Sequence, residues 1–134
     1  MTEPDSHPSR QRLFWGRVAS FRYAGQGVVF MLRTQHNAWI HATLTVAVVA
    51  AGLLCGVSAD EWCWLILAMA SVWTAESFNT ALELIVDIAS PEYRPAAGTA
   101  KDIGAGAVLL CSIGAAAVGL IIFVPKALLL LGAA

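Results

Sequence analysis

Charge is scarce in this chain. Of its 134 residues, 13% are Asp, Glu, Lys or Arg and 58% are hydrophobic, whereas a soluble domain carries about 25% charged residues. That deficit excludes an ordinary water-soluble domain and places the chain among integral membrane proteins. Basic blocks of the kind that track a phosphate backbone are missing, and the net charge is −1, so nucleic-acid binding is not indicated. Cysteine is sparse: Cys55, Cys63 and Cys111 show no CxxC or metal-like spacing and read as unpaired, buried thiols. There is no GxxxxGK[ST] segment, which excludes a P-loop enzyme. Gly104-Ala105-Gly106 lacks the further glycine and the preceding strand of a dinucleotide fingerprint, and neither an HExxH nor a protein-kinase catalytic loop occurs. Met1 to Arg12 has no apolar run of the signal-peptide type and reads as a disordered cytoplasmic tail.

What is present is a set of long apolar runs. No charged residue occurs between Thr34 and Ala59, and residues 37–57 are long enough to cross a hydrocarbon layer that needs about 20 residues. Ser58-Ala59-Asp60-Glu61 is a polar turn, and a second span covers residues 62–89. Pro91 and Pro95 mark a loop. A third span covers 99–124, with the apolar tail after Lys126 extending it past a kink at Pro125. In this three-span arrangement every Arg, and Lys101, falls on one side, and Lys126 alone on the other. The positive-inside rule then puts the N-terminus and the Pro91–Pro95 loop in the cytoplasm. Trp62 and Trp64 fall at the outer interface, where an aromatic belt is expected. Residues 13–33 are too polar to span. Leu13, Phe14, Val18, Phe21, Val28 and Leu32 recur at helical spacing among arginines, as in an amphipathic helix lying on the inner leaflet, with a bend expected at Gly25 and Gly27.

The second span carries polar groups that a lipid-facing helix does not tolerate cheaply. At 3.6 residues per turn, Glu76, Asn79 or Thr80, Glu83 and Asp87 share one face. A charge at the centre of a spanning helix costs about 2.5–3.5 kcal/mol on insertion scales. Glu76 lies roughly 16 Å deeper than Asp87 at 1.5 Å per residue. The face therefore forms a ladder from the cytoplasmic surface to the depth of a lipid headgroup. A water-soluble reactant meets it at Asp87, and a membrane-embedded alcohol presents its hydroxyl near Glu76. Ala100-Lys101-Asp102 opens the third span, where free N–H groups and a lysine favour phosphate, or where Lys101 snorkels and Asp102 merely caps. Together with the acids one helix away, these residues point to a nucleotide–metal site, because carboxylates hold Mg²⁺ and leave positions for phosphate oxygens. Gly104, Ala107, Cys111, Ala115 and Gly119 form a small-residue stripe suited to close helix contact. His36 and His41 lie near the inner end of the first span, open to ligation or to interfacial hydrogen bonding.

Glu76-Ser-Phe-Asn79-Thr-Ala-Leu-Glu83-Leu-Ile-Val-Asp87, then Ser90-Pro-Glu92-Tyr93-Arg94-Pro, then Ala100-Lys101-Asp102, closely resemble the small bacterial integral-membrane diacylglycerol kinase family, which includes undecaprenol kinases. Ser20-Phe-Arg22-Tyr23-Ala24 and Asn37-Ala-Trp-Ile40-His41 are similar to it as well. The resemblance implies an all-α membrane protein with three transmembrane helices and an N-terminal amphipathic interfacial helix, assembled as a homotrimer with sites shared between neighbours. It implies ATP- and Mg²⁺-dependent phosphorylation of a lipid hydroxyl, with undecaprenol the first choice of acceptor and diacylglycerol the second. By resemblance Glu76 is the general base, Asn79 supports the site, and Glu83 binds metal. Tyr23, Asp87, Glu92, Tyr93, Arg94, Lys101 and Asp102 fall at nucleotide-binding positions; the basic residues of the surface helix differ from the family's, with Arg17 and Arg22 as the further ATP contacts. Gln35 stands where the family commonly places a second metal-binding glutamate, so one carboxylate of the metal site is replaced here by an amide. A small cation-coupled transporter is the alternative use of the acids, but residues 62–75 are uncharged, which disfavours a path to the outer side. A non-catalytic assembly subunit accounts for the stripe and leaves the acids unexplained.

Overall fold

In a computed structural model, residues 10–92 and 94–132 are described, with side-chain surroundings from residue 19 onward apart from Tyr93. The described residues form helices and no strands. Helix α1 covers Arg10–Thr34, α2 His36–Leu54, α3 Ala59–Ala89 and α4 Pro95–Leu130. Two compact units result, one ending at Thr34 and the other running from Gln35 onward.

The first unit is α1 alone. It is an unbroken helix through Gly25 and Gly27, and it begins three residues before the expected start at Leu13. Tyr23 and Phe21 are exposed. The Arg22 guanidinium lies over the Tyr23 ring, 5.4 Å from its centroid, a cation–π arrangement. The side chain of Arg17, most of the proposed tail and Tyr93 lie outside the described residues.

The second unit is a bundle of α2, α3 and α4. Gln35 is the one residue between α1 and α2, extended at φ −103° and ψ 118°. Ser58 begins α3 with a reciprocal capping box: its hydroxyl accepts from the Glu61 N–H at 3.3 Å, and the Glu61 carboxylate accepts from the Ser58 N–H at 2.7 Å. The polar turn expected after the first span thus serves as the start signal of the next helix. Helix α4 packs along α3, and α2 lies against α3. Ion pairs join α3 to α4 at both ends: Lys126 with Glu61 at 3.1 Å, and Lys101 with Asp87. The two helices are therefore antiparallel.

Two close approaches set the packing. A Cβ at Gly52 would come within 2.6 Å of the Trp62 ring, so α2 meets α3 there only because that position has no side chain. A Cβ at Gly104 would lie 2.5 Å from Asn79 Oδ1. The small-residue stripe on α4 is half-buried at Gly104, Cys111, Ala115 and Gly119, whereas Ala107 is exposed and Val108 takes the inward position. Large apolar side chains point outward on all three helices, among them Leu44, Leu67, Ile85, Leu109 and Leu120. Helices α2 and α4 are long and apolar enough to cross a membrane. Helix α3 falls short of that standard on composition, because its inner half carries the acid face.

The boundary at the second loop differs from expectation. Pro95 does not break a helix; it occupies the first position of α4, with Arg94 as the extended N-cap. Proline suits that position because its missing N–H would have no helical partner and its φ is already helical. Lys101 and Asp102 consequently lie well inside α4 and not at its N-terminus. The expected contributions of free N–H groups beside Lys101, and of Asp102 as a cap, are withdrawn. At the far end α4 continues through Pro125 to Leu130 as one helix.

Candidate active site

The 3.6-residue period puts Glu76, Asn79, Thr80 and Glu83 on the face of α3 turned into the bundle. Glu76 is 1% exposed, and Asn79 and Thr80 are also buried. Glu83 is half-buried and Asp87 exposed, so burial within the chain falls along this face from Glu76 to Asp87. The Thr80 hydroxyl donates to the Glu76 carbonyl at 2.9 Å. This satisfies a buried hydroxyl within the helix and leaves the Glu76 carboxylate to other partners.

Glu83 is held from two sides. Asn79 Nδ2 donates to Oε1 at 3.0 Å and Gln35 Nε2 donates to Oε2 at 3.4 Å. The structure thus brings together Asn79, Glu83 and Gln35, residues far apart in sequence. Asn79 Oδ1 is buried with no hydrogen-bond partner, beside the carboxylate that the amide's nitrogen engages. An orphaned acceptor of this kind is costly unless something fills it. No group of three or more His, Cys, Asp or Glu suited to a metal occurs among the described residues. One carboxylate and nearby amide oxygens are nevertheless hard oxygen donors, which suit Mg²⁺ when substrate phosphates and water complete its shell. As placed, Gln35 turns its N–H₂ toward Glu83; to ligate a cation it must rotate its amide and give up that bond.

Toward the surface, Lys101 on α4 donates to Asp87 on α3. The pair joins a cation of α4 to the exposed acid of the α3 face. Asp102 and Glu92 are exposed, as is Arg94 at the α4 N-cap, and the Glu92 carbonyl accepts from Ser90 Oγ at 3.0 Å. Tyr23 belongs to the separate α1 unit.

A neighbour of Glu76 that the sequence does not connect with it is His41. His41 Nε2 lies 3.8 Å from Glu76 Oε2. Its ring meets the Trp73 indole edge-on, with centroids 6.3 Å apart and planes at 67°. Trp73 Nε1 in turn donates to Thr45 Oγ1 at 3.0 Å. The available signal was the i, i+4 pair His41 and Thr45 within an apolar helix, since such a pair shares a face. Outward of this group an apolar cavity of about 210 Å³ lies between α2, α3 and α4, lined by Leu44, Val48, Leu65, Val72, Ala115 and Gly119 among others.

Fold and site together define a membrane-type helical bundle with a buried carboxylate behind a half-buried carboxylate–amide cluster and a lysine-paired entrance. Residues 22–123 match the sequence model of the prokaryotic diacylglycerol kinase family, and the chain belongs to that family. It is similar to an undecaprenol kinase of Bacillus subtilis, 37% identical over 107 residues that cover 80% of this chain and 87% of that one. It is also similar to a diacylglycerol kinase of Synechocystis sp., 41% identical over 115 residues that cover 85% of this chain and 66% of that one.

Proposed function

We propose that this chain is a lipid kinase that transfers the γ-phosphate of ATP, with Mg²⁺, to the hydroxyl of a membrane lipid alcohol. Family membership supports lipid-alcohol kinase activity, and the names of the relatives suggest undecaprenol or diacylglycerol as acceptor. The observation that carries the mechanistic reading is the graded acid face of α3: a fully buried Glu76, a half-buried Glu83 bound to Asn79, and an exposed Asp87 paired with Lys101.

Each level has a task. Phosphoryl transfer requires positioning and charge neutralisation more than covalent work. Glu83, with the Asn79 and Gln35 amides, would hold Mg²⁺, which supplies neutralisation of phosphate charge when bound. Lys101 and Asp87 lie at the open end, where ATP arrives; displacing Asp87 from Lys101 frees the ammonium for phosphate. Glu92, Tyr93, Arg94 and Asp102 flank that entrance in sequence, and Tyr23 and Arg17 are nucleotide contacts by family resemblance alone. Glu76 accepts the proton of the lipid hydroxyl as general base, supported by Asn79 one turn away. Its burial withholds it from bulk water, so the hydroxyl that reaches it comes from the lipid.

The same reading includes three spans and an assembly. Helix α3 crosses the membrane because the apolar α4 packs along it from end to end. Domain organisation is then one kinase domain at 13–134, preceded by an N-terminal segment whose residues 10–12 already belong to α1. The chain lies in the bacterial inner membrane with its N-terminus and active site in the cytoplasm, following the positive-inside rule. Glu76 and Asn79 are already enclosed by their own chain, and a homotrimer would cover the half-buried Glu83 and the exposed Asp87 with elements of a neighbour. Transfer of labelled γ-phosphate to undecaprenol and to diacylglycerol, assayed side by side in one detergent, tests the function and selects the acceptor. Incorporation into neither lipid would refute it.

A further inference from the structure

Among the described residues, three buried side-chain atoms have no hydrogen-bond partner: His41 Nε2, Glu76 Oε2 and Asn79 Oδ1. The first two face each other 3.8 Å apart. A hydrogen bond of this type needs about 2.7–3.2 Å, so a side-chain movement of less than roughly 1.1 Å would satisfy both atoms at once. Leaving both unmade in the interior is unfavourable, and catalytic hydrogen bonds are often long until substrate is bound.

The surroundings of His41 favour one arrangement. Its ring is bounded by the edge of Trp73, and Trp73 is fixed in turn by its bond to Thr45 on the same helix as His41. The imidazole also lines the apolar cavity. The ring therefore has apolar neighbours, and its Nε2 faces the carboxylate at 3.8 Å.

We propose that His41 is a positioning residue for Glu76: its Nε2–H donates to Oε2 and turns Oε1 to the lipid hydroxyl. This inference rests on the reading of Glu76 as the base. In the reaction the hydroxyl proton moves to Oε1 as the lipid oxygen bonds to the γ-phosphorus. The bond from that phosphorus to the β,γ-bridging oxygen breaks, and ADP leaves with the electron pair. His41 keeps its proton throughout and holds the carboxylate in register. The arrangement has the logic of a base oriented by a third group.

The test combines kinetics with a readout independent of turnover. His41→Leu removes the donor and is expected to lower kcat about 10–100-fold, the kinetic equivalent of one hydrogen bond to a charged group, with KM for ATP and for lipid within about threefold of wild type, as follows if His41 acts only through Glu76. His41→Gln restores an N–H donor and should recover part of kcat. In a Glu76→Gln background, His41→Leu should have little further effect, because residues acting as a unit are not additive. With ¹⁵N-labelled histidine in detergent, the His41 resonance, assigned by its loss in His41→Gln, should report a protonated Nε2 and move in Glu76→Gln while that of His36 does not. Wild-type kcat in His41→Leu, or a His41 signal indifferent to Glu76→Gln, overturns the inference. Should wild type phosphorylate neither lipid while the His41 signal still responds to Glu76→Gln, the kinase reading fails and the contact between the two residues stands.

Discussion

Gly104→Ala tests how tightly α4 is fitted to the catalytic face. The added methyl would lie 2.5 Å from Asn79 Oδ1, closer than side-chain contacts permit, and Asn79 is 6% exposed. The amide is the mobile partner, so it rotates away and surrenders its 3.0 Å bond to Glu83. A hydrogen bond to a charged group contributes about 1.5–3 kcal/mol, and each 1.4 kcal/mol is about tenfold in an equilibrium. The Mg²⁺ concentration for half-maximal activity should therefore rise about 10–100-fold. Thermal stability should change much less, because alanine is favoured over glycine inside a helix by about 0.8–1 kcal/mol, which offsets part of the strain. Gly106→Ala is the control: its methyl meets nothing within 4 Å, and the same helix gain comes without the clash. A Mg²⁺ titration that is superimposable for wild type, Gly104→Ala and Gly106→Ala would refute the claim that α4 positions Asn79 against Glu83.

Glu83→Gln should abolish Mg²⁺-dependent nucleotide binding, since only amides then remain, whereas Gln35→Glu should tighten Mg²⁺ by adding a carboxylate; a Mg²⁺ titration unmoved by both removes these residues from the metal site. At the other end of the bundle, the Ser58 backbone N–H and then the Lys126 ammonium hold the Glu61 carboxyl below its ordinary range. A depressed folded-state pKa contributes stability above the unfolded value, about 4.3, and that contribution is lost as pH falls through the folded value. Wild type should accordingly lose thermal stability on acidification below about pH 4.3 more steeply than Glu61→Gln; parallel profiles would show that the cap and ion pair do not stabilise the fold. For assembly, mixing Glu76→Gln protomers with Lys101→Ala protomers should restore some activity if the base and the phosphate ligand come from neighbouring chains, whereas a fully mixed but inactive population would indicate a site within one chain.

The acid ladder was legible because a helical period alone orders Glu76, Asn79, Glu83 and Asp87 along one face, and burial follows that order. The start of α4 was misplaced because proline reads as a breaker in a sequence, although at a helix's first position it costs nothing. Lys101 moved with that boundary, from a supposed helix terminus to a mid-helix partner of Asp87. The stripe on α4 was visible as spacing, but its departure at Ala107 toward Val108 depends on how the antiparallel helices turn against each other. The approach of His41 to Glu76 is a contact between helices, decided by the fit of Gly52 to Trp62 and of Trp73 to Thr45, and no periodicity within one helix contains it. Gln35 stands out in the sequence as an amide where the family commonly has a glutamate, and its position beside Glu83 gives that departure a structural consequence: an amide that donates to the carboxylate.

The central claim is that a buried Glu76 deprotonates a lipid hydroxyl for attack on ATP. Its most direct measurement is the rate of labelled γ-phosphate incorporation into undecaprenol and diacylglycerol by wild type and Glu76→Gln at saturating Mg²⁺, with nucleotide binding followed in parallel. Wild type should incorporate label into at least one lipid, with kcat about 10²–10⁴-fold lower in Glu76→Gln and nucleotide affinity little changed. Turnover near the wild-type rate in Glu76→Gln would exclude Glu76 as the base.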